Sequence, residues 1–231
     1  MTEGQEQEAI LELDFMIYDA IQASVPVGTT YRYEEQGNHY YDHNGVITNS
    51  YSMLRFRETL HIAEVTKGPG HYLSPDGFTL QSREPVPNQI LSWEITFKGP
   101  ASFKDGIRTC VELSDGFDVD DGTRVQIPDT FEFKEFLWPN VYTPLKALGI
   151  TSVEKLGSLY TQRFFLEFFG IEVCLDHSIL PDSNQEFFLL EVEHDSAETI
   201  KAVVRKLQEK WPSATPTTKS KYKRFLESLK A

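Results

Sequence analysis

The sequence predicts an α+β protein, with antiparallel strands that carry one polar face and with helices beside the sheet. The main observation is a recurring pair of like charges two residues apart, as at Arg55 and Arg57 and at Glu191 and Glu193. Side chains alternate between faces along a strand, so each charged pair points one way and its apolar neighbours point the other. Gly170 marks a tight hairpin between two such segments, and amphipathic periodicity near the C-terminus indicates helices.

Strands dominate the elements predicted for the N-terminal half. They lie near residues 10–17, 29–34, 38–43, 52–58, 91–98, 106–114 and 123–126. A short helix is predicted over residues 19–24. Gly and Pro residues cluster between residues 59 and 90, which predicts a loop-rich excursion with one hairpin.

The C-terminal half alternates between helices and strands. Helices are predicted over 129–136 and 141–148, and strands over 158–169, 170–177 and 185–193. A longer helix begins at Asp195 or Ser196, either of which suits an N-cap, and runs to Trp211. The segment KSKYKRFLESLK predicts a final basic amphipathic helix. Because no repeat or linker interrupts this order, residues 1–231 are expected to form a single domain.

Composition limits the classes of partner. The net charge is −13 over 231 residues, which argues against binding to a nucleic-acid backbone. No apolar run is long enough to span a bilayer, and the acidic N-terminus is unlike a signal peptide. Two cysteines are typical of a reduced compartment, so a cytoplasmic monomer or homodimer without membrane contact is expected.

The charge pattern also predicts a ligand. Further pairs occur at Glu12 and Asp14 and, with wider spacing, at Glu94 and Lys98. An ordinary solvated sheet face would explain any one of them. Recurrence with both signs instead favours a sheet that curls around a strongly anionic ligand, with a divalent metal between the ligand and the carboxylates.

Seven short segments occur in a definite order between about residue 10 and the C-terminus. They are LELDF, EEQGNHYYDH, MLRFRE, WEITFKGP, VCLDHS, FFLLEVE and KSKYKRFLESL. Together they resemble the CYTH superfamily, the triphosphate tunnel metalloenzymes, which includes class IV adenylate cyclases, thiamine triphosphatases and inorganic triphosphatases. The resemblance implies an eight-stranded antiparallel β-tunnel with flanking helices, a CYTH-like barrel that closes over a small triphosphate.

The same resemblance implies roles for individual residues. The implied substrate-binding residues are Arg55, Arg57, Lys98, Arg108 and Arg163, of which Lys98 and Arg163 are also the implied catalytic residues. The implied ligands of Mg²⁺ or Mn²⁺ are Glu12, Asp14, Glu112, Asp176, Glu191 and Glu193. Arg binds phosphate through two parallel hydrogen bonds and Lys as a point charge, whereas these metals prefer oxygen ligands.

Three positions depart from the family pattern. Glu12 and Asp14 match the start of an E-x-E-x-K signature, but Met16 stands where the lysine is expected. Cys110 replaces a glutamate and Thr161 replaces a lysine.

The predicted function is metal-dependent hydrolysis of an inorganic, thiamine or nucleoside triphosphate. A class IV-type adenylate cyclase, which makes cyclic AMP and pyrophosphate from ATP, and a non-catalytic polyphosphate- or nucleotide-binding module are the alternatives.

Overall fold

The structure, a computed structural model, describes residues 4–67, 89–119 and 127–230. Within these ranges eleven strands and five helices follow one another. The strands are β1 (Gly4–Leu13), β2 (Thr30–Asp42), β3 (Met53–Thr66), β4 (Gln89–Lys98), β5 (Ser102–Lys104), β6 (Ile107–Val119), β7 (Thr130–Glu132), β8 (Ser152–Phe168), β9 (Ile171–Leu180), β10 (Gln185–Glu193) and β11 (Thr215–Thr217). The helices are α1 (Phe15–Ser24), α2 (Val46–Asn49), α3 (Pro139–Ala147), α4 (Ala197–Lys210) and α5 (Lys221–Ser228).

Eight strands close into an antiparallel barrel. Their order is β1-β10-β9-β8-β2-β3-β4-β6, and β6 pairs again with β1. At this closure Glu8 lies opposite Glu193 on one side and opposite Arg108 on the other. Closure pairs the backbone groups that an open sheet would leave at its edges. The predicted eight-stranded antiparallel β-tunnel with flanking helices is confirmed.

The two faces of the barrel strands differ in chemistry. On β3, Arg55 and Arg57 line the interior, whereas Leu54 and Phe56 pack outside in an apolar cluster with Ile95. Burial of each large apolar side chain contributes about 1.5–3 kcal/mol, so the outer face carries much of the stability. The period-2 charge pattern therefore marks the inner face of a closed barrel.

Helices cover the outer apolar surface. Ile21 of α1 and Ile200 of α4 belong to one buried cluster with barrel residues, and Leu145 of α3 belongs to a second. The start of α4 agrees with the predicted cap, because Ser196 Oγ accepts a hydrogen bond from Thr199 N at 3.3 Å. Among the described residues, no helix combines the length and the apolar character needed to cross a membrane.

The predicted boundaries near the N-terminus are wrong for a local reason. The strand predicted over 10–17 ends at Leu13, and α1 begins at Phe15. Asp14 is the N-cap, since its Oδ1 accepts a hydrogen bond from Ile17 N at 2.8 Å. The segment therefore turns into a helix at the point where the sequence pattern predicted a continuing strand.

The bounds of several other predicted strands and helices also differ from the structure. The two strands predicted over 29–34 and 38–43 are one strand, β2, and β3 runs past residue 58 into the predicted excursion. The helix predicted over 129–136 is replaced in part by β7, which pairs with β8. The predicted strand at 123–126 and most of the excursion at 59–90 lie outside the described residues.

Candidate functional site

A cavity of about 600 Å³ occupies the barrel interior. This volume lies within the range of small-molecule sites, roughly 300–1,000 Å³. Inward-facing side chains of seven barrel strands line the cavity, together with residues at the start of α5. The lining includes many charged groups of both signs, so the cavity has the chemistry of a site for both cations and anions.

Three carboxylates form an acidic cluster, defined as Glu6, Glu8 and Glu193, on the wall shared by β1 and β10. One oxygen of each lies within 4.8 Å of the others. Burial first, and the neighbouring charge of Glu191 second, raise the pKa of Glu8 to about 7. A hard divalent cation offsets such crowding, and oxygen donors are what Mg²⁺ and Mn²⁺ prefer. The acidic cluster therefore fits the implied metal.

Lys98 connects the acidic cluster to β6. Its Nζ lies 2.6 Å from Glu6 Oε2 and 3.0 Å from Glu112 Oε2. Although burial acts to raise it, the pKa of Glu6 is lowered to about 2, chiefly by the Lys98 ammonium. Arg108 Nη1 contacts Glu8 Oε1 at 2.7 Å and adds a second cation beside the cluster.

Two arginines on β3 form the opposite wall. Arg55 Nη2 donates to Glu94 Oε1 at 2.9 Å and to Thr96 Oγ1 at 3.1 Å. Arg57 Nε donates to Asn38 Oδ1 at 3.1 Å, and its Nη1 lies 3.9 Å from Glu94. Burial and the adjacent Arg55 lower the pKa of Arg57. This guanidinium is therefore incompletely compensated and favours an added anion.

Asn38 contributes a further donor to the same wall. It is buried and lines the cavity, and its Oδ1 is held by Arg57. Its Nδ2 is buried without a hydrogen-bond partner. Because an unsatisfied buried donor costs about 1–3 kcal/mol, this amide is suited to a ligand oxygen.

A buried ion network closes the wall formed by β8, β9 and β10. Arg163 donates to both carboxylate oxygens of Asp176, at 2.8 and 2.7 Å, and also contacts Glu191. Lys221 Nζ from α5 lies 2.6 Å from Asp176 Oδ2 and 2.7 Å from Glu191 Oε1. Both carboxylates are thus shared between two cations of the chain.

The short helix α5 seats Lys221 in the barrel. Ser220 Oγ caps the helix by accepting a hydrogen bond from Lys223 N at 3.3 Å. Phe225 packs against Gly157, where a Cβ would lie 2.9 Å from the ring, so only glycine allows this approach. Tyr222 OH lies 3.0 Å from Thr48 Oγ1 and ties α5 to α2.

The structure brings most of the predicted site residues to one cavity. The cavity is lined by Arg55, Arg57, Lys98, Arg108, Glu112, Arg163, Glu191 and Glu193. Asp176 is fully buried beneath them, in contact with Arg163 and Lys221.

Two predicted metal ligands lie elsewhere, and this corrects their assignment. Glu12 is exposed and pairs with Arg224 at 2.9 Å, whereas Asp14 caps α1. Met16, considered as the replaced lysine, is exposed on α1. The pair that faces the cavity from β1 is Glu6 and Glu8, which have the same spacing but occur six residues earlier. Ile10 occupies the next inward position.

The polar and charged lining residues that are absent from the sequence-based predictions include Glu6, Glu8, Asn38 and Lys221. The first two were available as a second E-x-E pair, but the first strand was predicted to begin only near residue 10. For Asn38 and Lys221 the sequence carried no comparable signal, because neither belongs to a charge pair on a predicted strand.

The barrel and its charged interior define the fold of the CYTH proteins, the triphosphate tunnel fold. The chain is similar in structure to a Hippeastrum protein, HpAC1, a candidate adenylyl cyclase for which a dominant triphosphatase activity is reported. The TM-score is 0.64 with 12% identity, over 97% of this chain and 96% of that one. A candidate adenylate cyclase from Bacillus halodurans gives 0.57 with 16% identity, over 94% and 95% of the two chains.

A third similar structure is the PH1819 protein of Pyrococcus horikoshii, with a TM-score of 0.52 and 15% identity over 96% and 99% of the two chains. The sequence matches no protein-family model and no curated protein. At these identities the similarity establishes the fold alone.

Proposed function

We propose that this protein is a metal-dependent hydrolase of a small triphosphate, whether inorganic, thiamine or nucleoside. One observation carries the proposal: the acidic cluster and the arginines of β3 lie on opposite walls of the same closed barrel. A triphosphate is a compact polyanion that needs cationic neutralisation along its length. A carboxylate group at one wall supplies the place for a divalent counter-ion.

The cations of the chain would bind and orient the triphosphate. Arg57 has the least compensated charge of the groups described above and provides the primary contact to phosphate oxygens. Arg55 and Arg108 extend the cationic surface along the cavity. Lys98 sits between the acidic cluster and this surface, so it can contact a terminal phosphate while it remains next to Glu6.

The proposed role of Arg163 is to hold neighbouring side chains in place. Its guanidinium is engaged by Asp176 and Glu191, which fixes these two carboxylates and Lys221 relative to the cavity. Lys221 then presents an ammonium toward the ligand from α5. This network is preorganised, so orienting a bound phosphate would require little rearrangement of the chain.

Glu6, Glu8 and Glu193 would hold Mg²⁺ or Mn²⁺, with Glu112 next to them through Lys98. When bound, the metal supplies charge neutralisation and a more acidic coordinated water. In the reaction, a water oxygen forms a bond to the terminal phosphorus and the bridging P–O bond breaks, which releases orthophosphate. The arginines and lysines offset the negative charge that accumulates on the departing diphosphate.

A class IV-type adenylate cyclase is the second candidate. It is favoured by the Bacillus halodurans protein of the same fold, a candidate adenylate cyclase, and by the Hippeastrum protein, a candidate cyclase in which triphosphatase activity is dominant. In that reaction a ribose 3′-hydroxyl attacks the α-phosphorus and pyrophosphate leaves. The same wall of cations would stabilise this leaving group.

The test is ³¹P NMR of the purified protein with tripolyphosphate, thiamine triphosphate and ATP, in Mg²⁺ and in Mn²⁺. Growth of orthophosphate is expected from at least one of these substrates, and Arg57→Gln should slow it. Cyclic AMP with pyrophosphate would replace the hydrolase by the cyclase. Binding of a ligand without any product would contradict both enzymes and leave the non-catalytic module.

A further inference from the structure

Two aromatic side chains at one end of the cavity are exposed. Tyr51, in the turn between α2 and β3, is 86% exposed, and Phe103 on β5 is 47% exposed. Both belong to the lining of the cavity. Rings of this size are usually placed where they gain contact, and exposed apolar surface at a cavity mouth is typical of a ligand site.

The strand register places these rings on the same end of the barrel. Met53, the first residue of β3, pairs with Lys98, the last residue of β4. Tyr51 precedes the one strand and Phe103 follows the other, so both lie beyond this pair. Arg55 and Arg57 lie inward along β3, at roughly 7 and 13 Å from Met53 at about 3.3 Å per residue. Relative to the pair of Met53 and Lys98, the two rings therefore lie on one side of the cavity and the β3 arginines on the other, and Phe103 pairs with Arg108.

The backbone of Tyr51 is strained. Its φ is 56°, in the left-handed region that glycine and asparagine tolerate far better than a bulky aromatic residue. The turn itself is fixed by backbone hydrogen bonds from Tyr51 N to Thr48 O and from Ser52 N to Ile47 O, at 3.0 and 3.1 Å. Because the ring is exposed, packing does not offset this strain. The turn that ends α2 requires this left-handed conformation, but a glycine would adopt it at lower cost, so the presence of an exposed tyrosine here points to a function for the side chain.

We propose that Tyr51 and Phe103 form a subsite for a planar aromatic group joined to the triphosphate. The preferred substrate class is therefore an organic triphosphate, a nucleoside or thiamine triphosphate, and not inorganic tripolyphosphate. This inference rests on the proposed function of the same cavity. Stacking on an aromatic side chain favours a planar ring by roughly tenfold or more in the dissociation constant.

Dissociation constants measured by calorimetry in Ca²⁺, for ATP, thiamine triphosphate and tripolyphosphate, test the proposal. At least one organic ligand is expected to bind roughly tenfold tighter than tripolyphosphate. Tyr51→Gly should remove that preference and leave tripolyphosphate unchanged, whereas Tyr51→Phe should keep it. Comparison of ATP with thiamine triphosphate identifies which ring is bound.

The glycine variant is a clean probe. It relieves the left-handed strain and removes a ring with little packing, so its Tm should equal or exceed that of the unmodified protein. Phe103→Ser provides a second, independent removal. Equal affinities for all three ligands, unchanged in both variants, would overturn the subsite alone. Failure of all three ligands to bind would overturn the proposed function and this inference with it.

Discussion

Arg57→Gln is the substitution that should most affect ligand binding without harming the fold. The side chain is 19% exposed, and one of its nitrogens is used by Asn38, which leaves the others for phosphate oxygens. A charged hydrogen bond contributes about 1.5–3 kcal/mol, and two charges 4 Å apart interact by about 4 kcal/mol at an effective dielectric constant of 20. A loss of about 3 kcal/mol corresponds to a roughly 100-fold weaker dissociation constant.

The assay is calorimetric titration of tripolyphosphate and ATP, with Arg205→Gln on the exposed surface of α4 as a control of equal charge change. Because burial and Arg55 already disfavour the charged form of Arg57, its removal should not lower the Tm. The control should bind like the unmodified protein. Equal affinity in Arg57→Gln, or an equal loss in the control, would refute the assignment of Arg57 to the ligand.

Three further predictions concern other parts of the cavity. Since the pKa of Glu8 is raised from 4.5 to about 7, the folded chain binds more protons than the unfolded chain between these values. Stability measured in EDTA should therefore fall as the pH rises through this window, and Glu8→Gln should make that fall smaller, as followed by Tm. Lys221→Met should cost about 3–5 kcal/mol in urea unfolding, because it leaves two buried carboxylates short of a cation, while exposed Lys219→Met should cost less than about 1 kcal/mol. Asn38→Asp places a negative carboxylate 3.1 Å from Arg57 Nε, where it competes with phosphate for the guanidinium. This variant should bind tripolyphosphate roughly tenfold or more weakly, whereas Asn38→Ser should not. Unchanged affinity in Asn38→Asp would show that Asn38 is not part of the ligand site.

The barrel could be predicted from sequence because charged and apolar residues alternate along the strands of a closed antiparallel sheet with a polar interior. Arg55 and Arg57 alternate with Leu54 and Phe56 at the start of β3, as Glu191 and Glu193 do with apolar residues at the end of β10. These positions specify which face is inward without any knowledge of the strand order. Their convergence on one cavity then follows from closure of the sheet.

The assignment of the first strand failed because two E-x-E-like pairs occur close together on the same face. Glu12 has the same parity as Glu6 and Glu8, so periodicity alone does not distinguish them. The two pairs differ in their position along β1, because Glu12 and Asp14 lie at its end, where Asp14 caps α1 and Glu12 pairs with Arg224. Pairing with β6, which involves only the first part of β1, places Glu6 and Glu8 inside.

The role of α5 was beyond the sequence pattern for a different reason. Its basic residues are typical of a solvated helix face, and Lys219 on the preceding segment is indeed exposed. Lys221 is held in the cavity by contacts of α5 with distant parts of the chain, such as the packing of Phe225 against Gly157. Tertiary packing, not local periodicity, selects which lysine reaches the cavity.

The most direct test of the account compares two carboxylates on the same strand. Rates of orthophosphate release in Mn²⁺ are measured for Glu8→Gln and Glu12→Gln, with whichever of tripolyphosphate, ATP or thiamine triphosphate the unmodified protein hydrolyses fastest. We expect a loss of at least roughly 100-fold in kcat for Glu8→Gln and an unchanged rate for Glu12→Gln. An active Glu8→Gln protein, or an inactive but folded Glu12→Gln protein, would contradict it.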